Sequence, residues 1–294
     1  MLLGLIGEKL THSYSARIHR LFFELAGAEG EYRLIELKKD EVGQFLKKSL
    51  KEGFQGLNVT IPYKTAVLQF LDEISPEAEK IGAVNTVDFS GGMKGYNTDY
   101  YGILYTFLKN EVQAAGKRAL VTGSGGSAKA VVTCLADKGI REIYMAGRDP
   151  VRAGEKFSNV TPVSYTEIEK YKPFDIVINT TPIGMYPNAG ASPLIAEQLR
   201  GAGFLFDLIY NPSRTKLMET ADALGIRNVN GLYMLVAQAV KAQQIWGSTE
   251  KDKSHTKMPH SPVNAMNDKS SPCSDLYGLR MIDAIYGRIL KEPL

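Results

Sequence analysis

The chain has 294 residues, long enough for two domains with separate cores, and its 44% hydrophobic and 23% charged content is ordinary for a soluble globular protein. A net charge of +3 gives no ground for nucleic-acid or membrane binding, and apolar runs such as Phe204-Leu205-Phe206 are far too short to span a bilayer. Two cysteines, Cys134 and Cys273, make no disulfide framework and point to a reducing cytoplasm.

Met1–Gly7 is apolar but lacks a basic start and a processing site, so Leu2–Ile6 is expected to be a first strand. Ser15–Gly27 places Ile18, Leu21, Phe22 and Leu25 at helical spacing, with Gly27 as the C-cap. Tyr32–Leu37 follows as a strand, and Val42, Phe45 and Leu46 fit an amphipathic helix. Leu57, Val59 and Ile61 alternate as in a strand that Pro62 ends. Ser75-Pro76-Glu77 predicts a helix start with Ser75 as N-cap. Val84–Phe89 and Lys94–Tyr96 can pair across the turn Ser90-Gly91-Gly92.

From Lys117 the pattern becomes regular βα repetition, with strands expected at Arg118–Thr122, Glu142–Met145, Phe174–Asn179, Phe204–Ile209 and Arg227–Val229. Such alternation predicts a doubly wound parallel sheet, so the fold class is α/β. Gly231–Trp246 reads as a helix through Leu232, Leu235, Val236, Ala239 and Val240. The stretch 247–274 is rich in Ser, Lys, Pro, Asp and Asn, and is expected to be a mobile loop. His255, His260 and Cys273 lie in it at spacings that match no compact metal site, so no metal is expected. Leu276, Leu279, Ile282, Asp283, Ile285, Tyr286 and Ile289 then restore helical periodicity, with one mixed position, as a final helix that docks.

The most informative run is Val121-Thr122-Gly123-Ser124-Gly125-Gly126-Ser127-Ala128. A strand, a glycine turn and a helix start in that order make a cradle for a dinucleotide pyrophosphate. Gly123 allows the turn, Gly125 lets the backbone approach, and the amides at the helix N-terminus hold the anion. The competing reading is an ordinary tight βα turn. Lys64 follows the alternating strand and Pro62, and suits a proton donor at a carbonyl oxygen; it can equally be a solvated lysine before the next helix. Asp99 ends Gly95-Tyr96-Asn97-Thr98-Asp99 and can equally be a helix N-cap. Spacing alone does not separate these alternatives.

Six motifs add to that reading. Gly56-Leu57-Asn58-Val59-Thr60-Ile61-Pro62-Tyr63-Lys64, Gly82-Ala83-Val84-Asn85-Thr86-Val87 and Gly95 to Asp99 closely resemble the shikimate dehydrogenase family. So do Asn179-Thr180-Thr181-Pro182-Ile183-Gly184-Met185, Asp207-Leu208-Ile209-Tyr210-Asn211-Pro212, and Gly231-Leu232-Tyr233-Met234-Leu235 through Gln238-Ala239. The resemblance runs from Gly7 to Trp246 in family order and spacing.

It implies reversible reduction of 3-dehydroshikimate to shikimate with a nicotinamide cofactor, in aromatic amino-acid biosynthesis. It also implies Lys64 and Asp99 as the catalytic pair, and Ser13, Ser15, Thr60, Asn85, Tyr210 and Gln238 at the substrate's carboxylate and hydroxyls. Gly123, Ser124, Gly125, Gly126, Ser127, Arg148, Arg152, Thr180, Met185 and Gly231 would contact the cofactor. Asn58 and Asn97 share these motifs, but side-chain bonding to turn backbone explains both, and they are left out.

By the same resemblance, residues 1–100 are a substrate-binding catalytic domain and 101–230 a Rossmann-like dinucleotide domain. Residues 231–294 return as helices on the substrate domain, and the active site lies in the cleft between the domains. The expected partners are small molecules only, in a cytoplasmic monomer or homodimer. No acid ends the strand at Tyr144-Met145-Ala146-Gly147; Arg148, with Arg152, can pair with a 2′-phosphate, which favours NADP. Asp149 stands where the family often has Thr. The first loop, Gly7-Glu8-Lys9 and His12-Ser13-Tyr14-Ser15-Ala16 before His19-Arg20, lacks two prolines and an Asn of the family pattern. These departures keep open an NAD-using quinate and shikimate dehydrogenase, while a non-catalytic metabolite sensor is the rival of another class.

Overall fold

The computed structural model describes residues 1–10, 13–247 and 275–292, and the apolar N-terminal run forms strand β1 (Leu2–Gly7), buried from Leu3 onward. Strands β2 (Glu31–Glu36) and β3 (Gly56–Val59) pair with it in parallel on either side. Helices α1 (Ser15–Ala26) and α2 (Val42–Lys51) make the crossovers. Gly27 closes α1 at φ +62°, a left-handed conformation that glycine adopts without a Cβ penalty. Strand β4 (Glu73–Ile74), helix α3 (Pro76–Ile81), and strands β5 (Thr86–Asp88) and β6 (Lys94–Tyr96) complete a six-stranded mixed sheet of order β2-β1-β3-β5-β6-β4. The hairpin expected across Ser90-Gly91-Gly92 is the antiparallel β5–β6 pair.

Two local expectations differ. Strand β3 stops at Val59, and Ile61 is 75% exposed, so the alternation overran the strand. Ser75 has the extended backbone of an N-cap with Pro76 at the first helical position, but its hydroxyl makes no cap bond. Fixed φ at Pro76, not side-chain capping, starts that helix.

Helix α4 (Thr98–Lys109) leads toward a second sheet built from β7 (Arg118–Thr122), α5 (Gly126–Asp137), β8 (Glu142–Gly147), α6 (Pro150–Lys156) and β9 (Thr161–Ser164). It continues with β10 (Ile176–Asn179), α7 (Ala196–Leu199), β11 (Phe204–Asp207), α8 (Lys216–Ala223) and β12 (Arg227–Val229). All six strands are parallel, in the order β12-β11-β10-β7-β8-β9. The order reverses between β7 and β10, the switch point at which open α/β sheets bind ligands. Strand β9 was not expected, because Pro162 lies inside it; an edge strand tolerates a proline where a central one does not. Leu120, Val177 and Leu205 on the central strands are fully buried, each contributing about 1.5–3 kcal/mol on burial.

A polar string ties the C-terminal ends of three of these strands. Thr122 Oγ1 donates to Asn179 Oδ1 at 2.9 Å, and Asn179 Nδ2 donates to Asp207 Oδ1 at 2.9 Å. Thr215 Oγ1 donates to Asp207 Oδ2 at 2.7 Å. Burial pushes the Asp207 carboxyl up, against the pull of these donors.

The chain divides into two compact units, Met1–Tyr105 with Leu235–Leu294, and Thr106–Met234. Helix α9 (Leu232–Ile245) carries Trp246 at its end, whose Nε1 donates to Val87 O at 2.9 Å; a Cβ on Gly56 would strike that ring. Helix α10 (Leu276–Lys291) packs on α1 and buries Met281, Ile282, Ile285 and Ile289, while Leu276 is 57% exposed and outside that stripe. Asp275 caps it by accepting from Gly278 N at 2.8 Å, and takes further bonds from the Tyr105 hydroxyl and Gln244 Nε2, each at 2.7 Å. The expected loop over 247–274, with His255, His260 and Cys273, lies outside the described residues except for Gly247. Among the described residues no helix is long and apolar enough to cross a membrane, and no cluster of His, Cys, Asp or Glu is placed to hold a metal ion.

Candidate active site

Lys64 is pinned by its backbone before its side chain is considered. After β3, Thr60 N donates to Ile6 O at 3.0 Å and Tyr63 N to Thr60 O at 2.9 Å, closing a turn. The Tyr63 ring is buried, with its hydroxyl on Leu37 O, and Val84 N donates to the Lys64 carbonyl at 2.8 Å. From this fixed point Lys64 Nζ reaches Asp99 Oδ2 at 2.6 Å, with side chains 23% and 8% exposed. The ammonium is therefore open enough to meet a ligand, and its partner is not.

Asp99 lies in the first turn of α4, and Asn97 is the residue that caps it. Asn97 Oδ1 accepts from Asp99 N at 3.1 Å and its Nδ2 donates to Ala83 O at 2.9 Å. That relieves Asp99 of the N-cap role spacing allowed it, and leaves both carboxylate oxygens for side-chain partners. The reading of Asn97 as a backbone-bonding residue agrees with this geometry.

Asn85 holds the other carboxylate oxygen: its Nδ2 donates to Asp99 Oδ1 at 2.9 Å and to Gln238 Oε1 at 3.2 Å. Its own Oδ1 is fixed by Thr98 N at 2.7 Å and by the Thr86 hydroxyl at 3.1 Å. Lys64, Asp99, Asn85 and Gln238 thus form one bonded group from four separate segments of the sequence. Ser13 and Ser15 come together at the start of α1, where Ser15 N donates to Ser13 Oγ at 3.3 Å, and Thr60 is half-buried in the turn before Lys64. Asn58, left out as a turn residue, lies in β3 instead; its Nδ2 donates to Asn85 O at 3.2 Å and to Thr86 Oγ1 at 3.0 Å. Thr86 was not singled out at all, and no local pattern marks a threonine that bonds its own neighbour's side chain.

In the second unit, Gly123 follows β7 at φ +90°, as a tight βα turn requires. A Cβ there would meet Thr181 Cγ2 at 2.8 Å and Thr180 Oγ1 at 3.0 Å. Thr180 braces the turn from β10 through Oγ1 to Thr122 O at 2.7 Å. Nothing lies within 4 Å of a Cβ built on Gly125 or Gly126, and Gly125 makes no side-chain cap on the twelve-residue α5. Both glycines are exposed, so the start of that helix, whose first amides lack intrahelical partners, leaves room that suits a pyrophosphate. Ser124 sits in the turn and Ser127 in the first turn of α5.

Arg148 and Arg152 are exposed at the end of β8 and in α6. Burial pushes the Tyr165 phenol up, and the charge of Arg148 pulls partly back, which places that guanidinium near it. Asp149 accepts from Arg152 N at 3.0 Å as the N-cap of α6, so its departure from the family pattern has a local structural use. Met185 is 46% exposed and Tyr210 half-buried after β11. Gly231 is required for packing, since a Cβ would lie 2.0 Å from Leu208 O.

Residues 5–87 match the family model for the shikimate dehydrogenase substrate binding domain. The shikimate dehydrogenase (NADP(+)) of Clostridium beijerinckii is 41% identical over 86% of this chain and 94% of its own. Among solved structures, a chorismate mutase/shikimate 5-dehydrogenase fusion protein from Clostridium acetobutylicum is 37% identical, with a TM-score of 0.86 over 99% of this chain and 97% of that one. Shikimate 5-dehydrogenase from Thermus thermophilus, in complex with NADP(H) and shikimate, is 32% identical with a TM-score of 0.77, covering 84% of this chain and 94% of that one.

Proposed function

We propose that this chain, which belongs to the shikimate dehydrogenase family, reversibly reduces 3-dehydroshikimate to shikimate with NADPH, in aromatic amino-acid biosynthesis. The observation that carries the reading is the Lys64–Asp99 pair, one member open to ligand and the other buried and bonded on both oxygens. A nicotinamide dinucleotide, when bound, supplies the hydride.

The chain's own residues handle the proton and the substrate. In reduction, Lys64 Nζ gives a proton to the ketone oxygen as that oxygen gains charge; in oxidation it takes the proton back. Asp99 orients the ammonium and offsets its charge. Ser13, Ser15, Thr60, Asn85 and Gln238 offer hydroxyls and amides to the carboxylate and hydroxyls of the substrate, and such groups reject analogues that leave them unpaired. Gly123, Ser124, Gly125, Gly126 and Ser127 would hold the pyrophosphate, and Arg148 with Arg152 the 2′-phosphate. The proposal extends to a cytoplasmic monomer or homodimer.

The test is nicotinamide reduction followed by absorbance, with NADP and then NAD, and with shikimate and then quinate. NADP-preferring turnover of shikimate is the expected result. NAD preference with quinate turnover replaces the reading with a broad-specificity dehydrogenase. Thermal stabilisation by shikimate without turnover replaces it with a metabolite sensor.

A further inference from the structure

Beneath the proton-transfer pair lies a buried histidine that the reaction itself does not use. His19 projects from α1 into the core, 1% exposed, with its ring stacked on Tyr32 at 4.0 Å between centroids. Its proton can be placed from the partners. Asn58 Nδ2 faces the carbonyl oxygen of Asn85, which can only accept, so that edge of the amide must donate. The opposite edge, Oδ1, must then accept, from the Tyr32 hydroxyl at 2.7 Å and from His19 Nε2 at 3.2 Å. His19 therefore carries hydrogen on Nε2. Burial drives its pKa down to about 3, against a smaller upward pull from Asn58, so the ring is neutral and Nδ1 is bare. Gln243 Nε2 meets that bare nitrogen at 2.7 Å.

Each bond from Gln243 to Asn58 now has one direction. Gln243 fixes the His19 tautomer, His19 and Tyr32 fix the Asn58 amide, and Asn58 holds Asn85 O and Thr86 Oγ1. Thr86 in turn donates to Asn85 Oδ1, and Asn85 Nδ2 holds Asp99 against Lys64. Helix α9 grips the string at both ends, through Gln243 at His19 and through Gln238 at Asn85. With the other tautomer, two lone pairs would face each other between Nε2 and Asn58 Oδ1, and the amide would have to swing away.

We propose that His19 is a positioning residue for the reaction, whose Nε2–H, acting through Asn58 and Asn85, sets the carboxylate of Asp99 in the register that Lys64 needs. The proposal rests on the dehydrogenase reading above. It is tested with full-length His19→Phe, His19→Gln and Gln243→Met, each by kcat and KM for shikimate with NADP and by its thermal midpoint. The wild type and Gln243→Met are also examined by ring nitrogen NMR.

His19→Phe keeps a ring against Tyr32 but has no donor; kcat is expected to fall about tenfold with KM for shikimate changed less than about twofold. His19→Gln places an amide N–H near the lost Nε2 and is expected to recover most of that loss. The wild-type spectrum should show the Nε2–H tautomer, and Gln243→Met should move the ring toward Nδ1–H while lowering kcat in the same direction. Wild-type kcat in His19→Phe, with only a lowered thermal midpoint, overturns the proposal, as does an Nδ1–H tautomer in the wild type. If His19→Phe does not fold, Gln243→Met carries the kinetic test. Absence of shikimate turnover in the wild type would defeat the functional reading instead, and the tautomer would still report on the wiring.

Discussion

The two units of this molecule are built on opposite plans. In the first unit the polar groups proposed for proton transfer are tied to one another: Lys64 to Asp99, Asp99 to Asn85, Asn85 to Gln238 and Thr98. In the second unit the bonds run underneath, through Thr122, Asn179, Asp207 and Thr215 at the strand ends. The proposed ligand-facing groups above them, Gly125, Gly126, Arg148 and Arg152, are exposed. The difference follows from what each must do. A group that stabilises developing charge gains most when it need not reorganise during the reaction. An anion site can let the anion itself satisfy the free amides and guanidinium groups.

Lys64→Ala is the sharpest way to break that contrast. Losing a positioned proton donor should lower kcat by about 100- to 10,000-fold while KM for shikimate moves little, since the contact strengthens in the transition state. Equal falls in affinity and turnover would mean that the first unit binds as the second does. Arg148→Ala comes next, with an expected rise of about 10- to 100-fold in KM for NADP and little change for NAD, the signature of a lost charge-assisted bond. An unchanged ratio of the two cofactors would remove Arg148 from the 2′-phosphate site.

The smallest effect lies in stability. His19 is held at a pKa of about 3 in the fold and near 6.5 in the unfolded chain, so between those values the unfolded state binds the extra proton. Its contribution is fully present above pH 6.5 and is lost as pH falls, by about 1–2 kcal/mol at pH 5. Urea midpoints at pH 7 and pH 5 should therefore fall more for the wild type than for His19→Phe. Equal slopes would show that burial does not hold the ring neutral.

Legibility in the sequence tracked how local each cause is. The Gly123 turn could be read from its neighbours, because strand, glycine and helix start are adjacent and positive φ has one common solution. Lys64 and Asp99 are 35 positions apart, so only the resemblance put them together; periodicity contains no information about a contact made by tertiary folding. The N-cap that spacing allowed Asp99 belongs to Asn97, two residues earlier, and choosing between two capping residues needs the backbone. Strand β9 was hidden by Pro162, since the exemption given to edge strands depends on knowing which strand is the edge. His19 entered the sequence reading only in the pair His19-Arg20 that follows the first loop, because its bonding depends on Gln243, 224 positions away.

The bonds at Trp246 and Asp275 make two mooring points on either side of a stretch of chain. Trp246 is fastened to Val87, and Asp275 to Tyr105, Gln244 and Gly278. Each mooring bonds to an element of the first unit, Trp246 to β5 and Asp275 to Tyr105 in α4 and Gln244 in α9. The two C-terminal helices are thus stapled to the first unit at two separate points, each of which its own substitution can loosen.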